Sequence, residues 1–105
     1  MSAAEILKKL PAAFNPDSAV GTQCTIQFNT SSPMHVVIAN GECSTVAGAA
    51  AAPDLTVTME DQDFVDMMTG KLNGMTAFMT GKLQIDGDLM LAQKMTKFFD
   101  PAKLS

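Results

Sequence analysis

An α+β fold, with one five-stranded, mostly antiparallel sheet covered on one face by about four to five helices, is predicted by three observations. Several short stretches alternate apolar and polar residues with period two, as half-buried strands do. Asn40-Gly41 separates two of these stretches, and both residues tolerate the positive φ of a tight hairpin turn. Apolar residues at helical spacing gather towards the two ends of the chain instead of between every pair of strands, which argues against an alternating α/β order. With 105 residues, of which 47% are apolar, a single domain over residues 1–105 with a packed core is expected.

Residues 2–14 read as the first helix. Ser2 is placed to cap it and Glu5 to complete a capping box, while Ile6, Leu7, Leu10, Ala13 and Phe14 share one face. Pro11 lacks an amide hydrogen and should kink the last turn or end the helix, and Asn15-Pro16 closes the segment. Residues 21–29 alternate: Cys24, Ile26 and Phe28 face one way, Gln23, Thr25 and Gln27 the other. After the turn at residues 30–33, residues 34–39 are apolar on both faces apart from His35, which suits a central strand. Residues 42–47 return antiparallel to them, completing a meander.

Residues 48–53, GAAAAP, are too tightly bracketed by glycine and proline for a helix and are expected to form a connection. Residues 54–59 alternate again, with Leu55, Val57 and Met59 inward. Asp61 is the expected N-cap of the next helix, whose apolar face is Phe64, Val65, Met67 and Met68 and whose C-terminal glycine is Gly70. Asn73 caps a short helix ending before Gly81, and Leu83 and Ile85 mark the last strand. Asp86-Gly87-Asp88 turns the chain, Asp88 caps a final helix carrying Leu91, Met95, Phe98 and Phe99, and Asp100-Pro101 stops it.

Net charge is −4 and arginine is absent, a combination that disfavours nucleic-acid binding. The charge is uneven: residues 1–70 carry −6 and residues 71–105 carry +2. The basic half allows transient contact with an anionic membrane surface, but ordinary solvated helix faces are the favoured account. No apolar run approaches the roughly 20 residues of a membrane span, and Glu5, Lys8 and Lys9 interrupt any secretory core, so a cytoplasmic location is expected. Cys24 and Cys43 with one histidine cannot complete a four-ligand zinc site, and a disulfide between them requires adjacent strands. His35 is the only imidazole, no carboxylate group follows a cation-binding loop, and no glycine pattern cradles phosphate, so neither catalysis, cofactor nor metal is expected.

The unusual feature is methionine. Six of the nine lie between Met67 and Met95. Methionine fills irregular cores, and it also suits walls that repack around varied apolar ligands. Spacing alone favours the core. A pocket of even about 300 Å³, at about 24 cal/mol per Å³ of empty cavity, would cost about 7 kcal/mol, which rivals the roughly 5–15 kcal/mol stability of a domain. Any pocket here should therefore be hydrated, collapsed by mobile methionines, or filled.

An ordered series of short motifs over residues 53–95 resembles the sterol carrier protein 2 family. It comprises Asp54-Leu55-Thr56-Val57-Thr58, Asp63-Phe64, Thr69-Gly70-Lys71, Ala77-Phe78, Gly81-Lys82-Leu83, Gly87 and Ala92. The N-terminal half matches in layout alone, and the short chain is most similar to stand-alone bacterial members. The resemblance implies a hydrophobic tunnel between helices and sheet, and non-enzymatic binding and transfer of fatty acids, fatty acyl-CoA, phospholipids or sterol-like ligands. It implies Phe64, Met67, Met68, Phe78, Met79, Leu83, Met90, Met95 and Phe99 as tunnel or mouth residues. A second possibility is an accessory scaffold that presents an apolar intermediate to a lipid or isoprenoid-quinone biosynthetic enzyme. An enzyme ranks third, since His35 is its only obvious general base.

Overall fold

A computed structural model describes residues 2–95 and 97–104. Five strands form one sheet: β1 (Cys24–Asn29), β2 (Met34–Ala39), β3 (Glu42–Ala47), β4 (Leu55–Thr58) and β5 (Gln84–Gly87). Their spatial order is β3-β2-β1-β4-β5, so β1 is the middle strand and β2 its neighbour. All pairs are antiparallel except β1 with β4, which run parallel in a register that places Phe28 beside Val57. The Asn40-Gly41 turn has φ values of 55° and 75°, the left-handed geometry that joins β2 to β3.

The inner face of the sheet carries Cys24, Ile26 and Phe28, then Met34, Val36 and Ile38, then Leu55 and Val57, all buried. Five helices cover it: α1 (Ala3–Ala13), α2 (Asp61–Met68), α3 (Gly74–Met79), α4 (Leu89–Met95) and α5 (Pro101–Leu104). Ile6, Leu7 and Leu10 of α1 and Phe64 of α2 are fully buried against this face. The Phe64 ring meets Phe28 edge-on, with centroids 5.3 Å apart. The opposite face is only partly open. Residues 48–53 run across it as a loop, held where Ala50 N–H donates to Gln27 Oε1 at 2.7 Å and His35 Nδ1 donates to the Gly48 carbonyl at 3.1 Å. Gln27 is therefore buried although it lies on the polar side of its strand.

The first helix spans Ala3–Ala13 with Ser2 as its cap, as expected, and Pro11 does not end it, because Thr45 Oγ1 on β3 donates to the Leu7 carbonyl that proline leaves without a helical partner. Three expectations need correction. Asp61 does not cap α2: Glu60 occupies that position, and Asp61 accepts from the Ser31 hydroxyl and, at 2.8 Å, the Ser31 amide. The last long helix ends at Met95, and Phe99 instead forms an antiparallel bridge with Phe14. Asp100-Pro101 begins a further short helix, with Asp100 Oδ1 accepting from Ala102 N–H at 3.0 Å.

Candidate functional site

The helices after β4 are set by two copies of one turn. Thr69-Gly70-Lys71 ends α2 and Thr80-Gly81-Lys82 ends α3. Gly70 N–H donates to the Met67 carbonyl at 3.3 Å and Lys71 N–H to Asp66 at 2.8 Å, and Gly81 and Lys82 repeat this with Phe78 at 3.3 Å and Ala77 at 2.9 Å. Both glycines sit at positive φ, 88° and 80°, as this left-handed helix ending requires. Each threonine hydroxyl donates back one turn, Thr69 to Val65 and Thr80 to Thr76. Asn73 starts α3 by accepting from the Met75 and Thr76 amides, and Asp88 starts α4 by accepting from those of Met90 and Leu91.

This frame sorts the nine expected lipid-binding residues into two sets. Phe64, Met67, Met68, Leu83, Met95 and Phe99 point into the layer between helices and sheet and are buried. Phe78, Met79 and Met90 are on the surface. Among the described residues, Phe28, Phe64 and Phe98 are the largest side chains at the fully buried centre of this layer. Phe99 packs its ring 6.1 Å from Phe14 and beside Phe98, and the Asp100 amide donates to the Ala13 carbonyl. Its position ties the C-terminal segment to α1. Spacing missed Met75 and Leu89, which are exposed beside the surface set. Met75 was findable, since it lies three and four residues before Phe78 and Met79 on the same side of α3.

Two open clefts of about 350 Å³ each share Gly21, Thr22 and Gln23, and the second reaches the edge of the inner layer at Cys24 and Leu91. One of them is bordered by Cys24, Asp54, Asp88, Met90 and Lys94. Its two carboxylates against one ammonium suit an anionic head group poorly. Asp54 is chiefly structural there: its Oδ2 accepts from Thr25 N–H at 2.8 Å, and its carbonyl from Asp88 N–H at 3.1 Å. Burial, with Asp54 and Asp88 adding to it, pushes the Cys24 thiol up to about 11, and burial pushes Cys43 up to about 12. Neither thiol is therefore an activated nucleophile. Both cysteines face Ile38 from opposite neighbouring strands, about 10 Å apart at the usual strand spacing, which is beyond disulfide reach. His35 lies on the other side of the sheet, occupied by Gly48. Among the described residues, no three His, Cys, Asp or Glu side chains gather as a metal site.

The fold is a helix-covered sheet whose inner layer mixes aliphatic side chains with methionine and phenylalanine, with a second apolar set exposed on the covering helices. The comparisons are specific: the chain belongs to the SCP-2 sterol transfer family, whose model matches residues 5–100. It is 48% identical over 66 residues to peroxisomal multifunctional enzyme A of Dictyostelium discoideum, a match covering 62% of this chain and 15% of that protein. It is 43% identical over 60 residues to human sterol carrier protein 2, covering 57% of this chain and 11% of that protein. The matches thus span only a small part of these longer relatives.

Among solved structures, palmitated SCP2L2 from Aedes aegypti superposes with a TM-score of 0.73 at 25% identity, covering 92% of this chain and 93% of that one. The sec-alkylsulfatase Pisa1 from Pseudomonas sp. contains the same fold, with a TM-score of 0.78 at 22% identity over 87% of this chain and 15% of that one. A ubiquinone synthesis protein, UbiJ-SCP2, shares the fold at 17% identity, with a TM-score of 0.65 over 95% of this chain and 84% of that one.

Proposed function

We propose that this domain binds a lipid with a long hydrocarbon chain between α2, α4 and the sheet, and transfers it without covalent chemistry. The observation that carries this reading is the methionine wall. Met67, Met68 and Met95 lie in the closed inner layer beside Phe64 and Leu83, where unbranched thioether side chains change rotamer at small cost. The space opens as the lipid enters, so the penalty of a standing cavity does not arise. Phe78, Met79 and Met90 form the mouth, and Phe99 closes the far end against Phe14.

Fatty acids are the first ligands to test, with fatty acyl-CoA, phospholipids and sterol-like molecules after them. The palmitated relative supports that order. Two free cysteines held on separate strands suit a cytoplasmic setting. The test is displacement of a fluorescent fatty acid by a lipid panel, joined to mass spectrometry of an organic extract of the purified protein. Displacement by long-chain fatty acids, with lipid in the extract, supports the reading; absence of both overturns it. Transfer between vesicles by the pure protein supports a carrier, whereas transfer that needs one stoichiometric enzyme partner shifts the assignment to a scaffold.

A further inference from the structure

α3 turns outward what the other helices turn inward. Of its six residues only Ala77 is buried, while Met75, Phe78 and Met79 are 60%, 47% and 77% exposed. These three stand at positions i, i+3 and i+4, on one side of the helix. Scattered single apolar residues on a surface are ordinary; three large ones on one side of a two-turn helix mark a surface that meets something apolar. The repeated turn places an exposed lysine at each end, Lys71 three residues before α3 and Lys82 three residues after it. Their backbone amides close the two helix endings, and both residues are solvent-exposed. Between Met67 and Ile85 there is no acidic residue, whereas Glu60, Asp61, Asp63 and Asp66 all fall on or beside α2 just before.

We propose that α3 is a membrane-docking wedge: Met75, Phe78 and Met79 enter the boundary between head groups and acyl chains of an anionic bilayer, and Lys71 and Lys82 lie among its phosphates. An amphipathic surface helix with apolar residues on one side and flanking lysines has the form that binds there, and the long lysine side chains reach the phosphates while their stems stay apolar. Charge selects the occupant. An apolar protein groove would satisfy the three side chains but has no need of two lysines in an acid-free segment, while an anionic bilayer meets both. The inference rests on the lipid-carrier reading, because docking through α3 would bring the neighbouring α2 wall to the membrane surface.

The test measures flotation of the full chain with phosphatidylcholine vesicles made with and without phosphatidylserine. Wild type should float with the phosphatidylserine vesicles and much less with phosphatidylcholine alone. Lys71→Gln/Lys82→Gln should lower partitioning onto the anionic vesicles by roughly 30-fold. Met75→Ser should lower it several-fold on both. None of the three residues belongs to the proposed ligand wall, so each variant should bind the fluorescent fatty acid in vesicle-free solution as wild type does. No flotation of wild type, flotation indifferent to phosphatidylserine, or variants that float like wild type would each overturn the docking surface. A wild type that floats but never binds fatty acid would overturn the carrier reading and leave the wedge standing.

Discussion

Thr45 Oγ1 donates a 2.9 Å hydrogen bond to the Leu7 carbonyl, four residues before Pro11. Proline has no amide hydrogen to give that carbonyl, and Leu7 is fully buried, so water cannot replace it. The strand hydroxyl supplies the missing donor, and α1 keeps its course over β3. This bond joins two residues 38 positions apart and accounts for the helix running past Pro11 to Ala13.

Thr45→Val keeps the shape of the side chain and removes the donor. The orphaned carbonyl should cost about 1–3 kcal/mol, and a domain of this size should lose roughly 4–8 °C of Tm per kcal/mol. In a Pro11→Ala background the restored amide takes over the carbonyl, and the same Thr45→Val change should cost little. Thermal melts of the four proteins form a double-mutant cycle. An equal cost of Thr45→Val in both backgrounds would show that the proline and the threonine are not linked.

Gly87 and Gly81 separate close packing from backbone conformation. Both have positive φ, 114° and 80°. A Cβ at Gly81 meets nothing within 4 Å, but one at Gly87 would lie 2.5 Å from the Asp54 carbonyl oxygen and 3.2 Å from Leu55 Cα. Gly81→Ala should therefore cost about 1–2 kcal/mol, the left-handed penalty alone. Gly87→Ala adds a clash with backbone that cannot rotate away, and about 3 kcal/mol or more is expected. Equal denaturant midpoints for the two variants would contradict the close approach of β5 to β4.

The strands were legible because each signal was local. The period-two runs and the Asn40-Gly41 turn fix β1, β2 and β3 within a few residues of the observed bounds. The glycines at 70 and 81 end helices as their positions imply. What escaped depends on distant partners. Asp61 looks like a cap until Ser31, 30 residues away, takes its carboxylate, and the Ser31 hydroxyl, then its amide, holds that carboxyl below its ordinary range. Gln27 looks solvent-facing until the loop over it supplies Ala50. Phe98 and Phe99 keep helical spacing with Met95, yet bridging to Phe14 takes the segment off that axis. The candidate site was legible as apolar positions and not as inside or outside. Periodicity gives the face of a helix, and only the neighbouring helices decide whether that face is covered.

The cysteines give a pH dependence with a definite sign. Both thiols are raised in the folded protein, to about 11 and about 12, from an ordinary value near 9. Below that value both states keep the proton and the full stability is present. As pH rises above it, the unfolded chain releases protons that the folded chain retains, so stability falls from about pH 9 until the folded thiols themselves ionise. The alkaline limb of denaturant stability should be shallower in Cys24→Ala/Cys43→Ala than in wild type, and the native thiols should react slowly with a thiol reagent at pH 8. Prompt reaction of both thiols in native protein would overturn the assigned burial.

Met79 and Phe99 both belong to the expected lipid-binding set, yet the structure predicts opposite behaviour for them. Met79 is 77% exposed, and glutamate there leaves the fold intact. Placed at the mouth, its charge should repel a fatty acid carboxylate and obstruct chain entry, weakening affinity about tenfold, as one charge at close range in a partly desolvated setting does. Phe99 is 3% exposed, wedged between Phe14 and Phe98 and fixed by the backbone bridge. Glutamate at that position buries an unpaired carboxylate and removes two ring contacts, a loss of several kcal/mol that approaches the whole stability of a small domain. Circular dichroism and melting should show Met79→Glu folded like wild type and Phe99→Glu largely unfolded or strongly destabilised. Phe99→Leu keeps an apolar side chain, so it should fold with a modest loss of stability and report on binding without the charge. If Met79→Glu binds the fluorescent fatty acid as wild type does, the mouth is not on α3. If Phe99→Leu folds and binds unchanged, Phe99 is a strut between the chain ends and contributes nothing to the ligand wall.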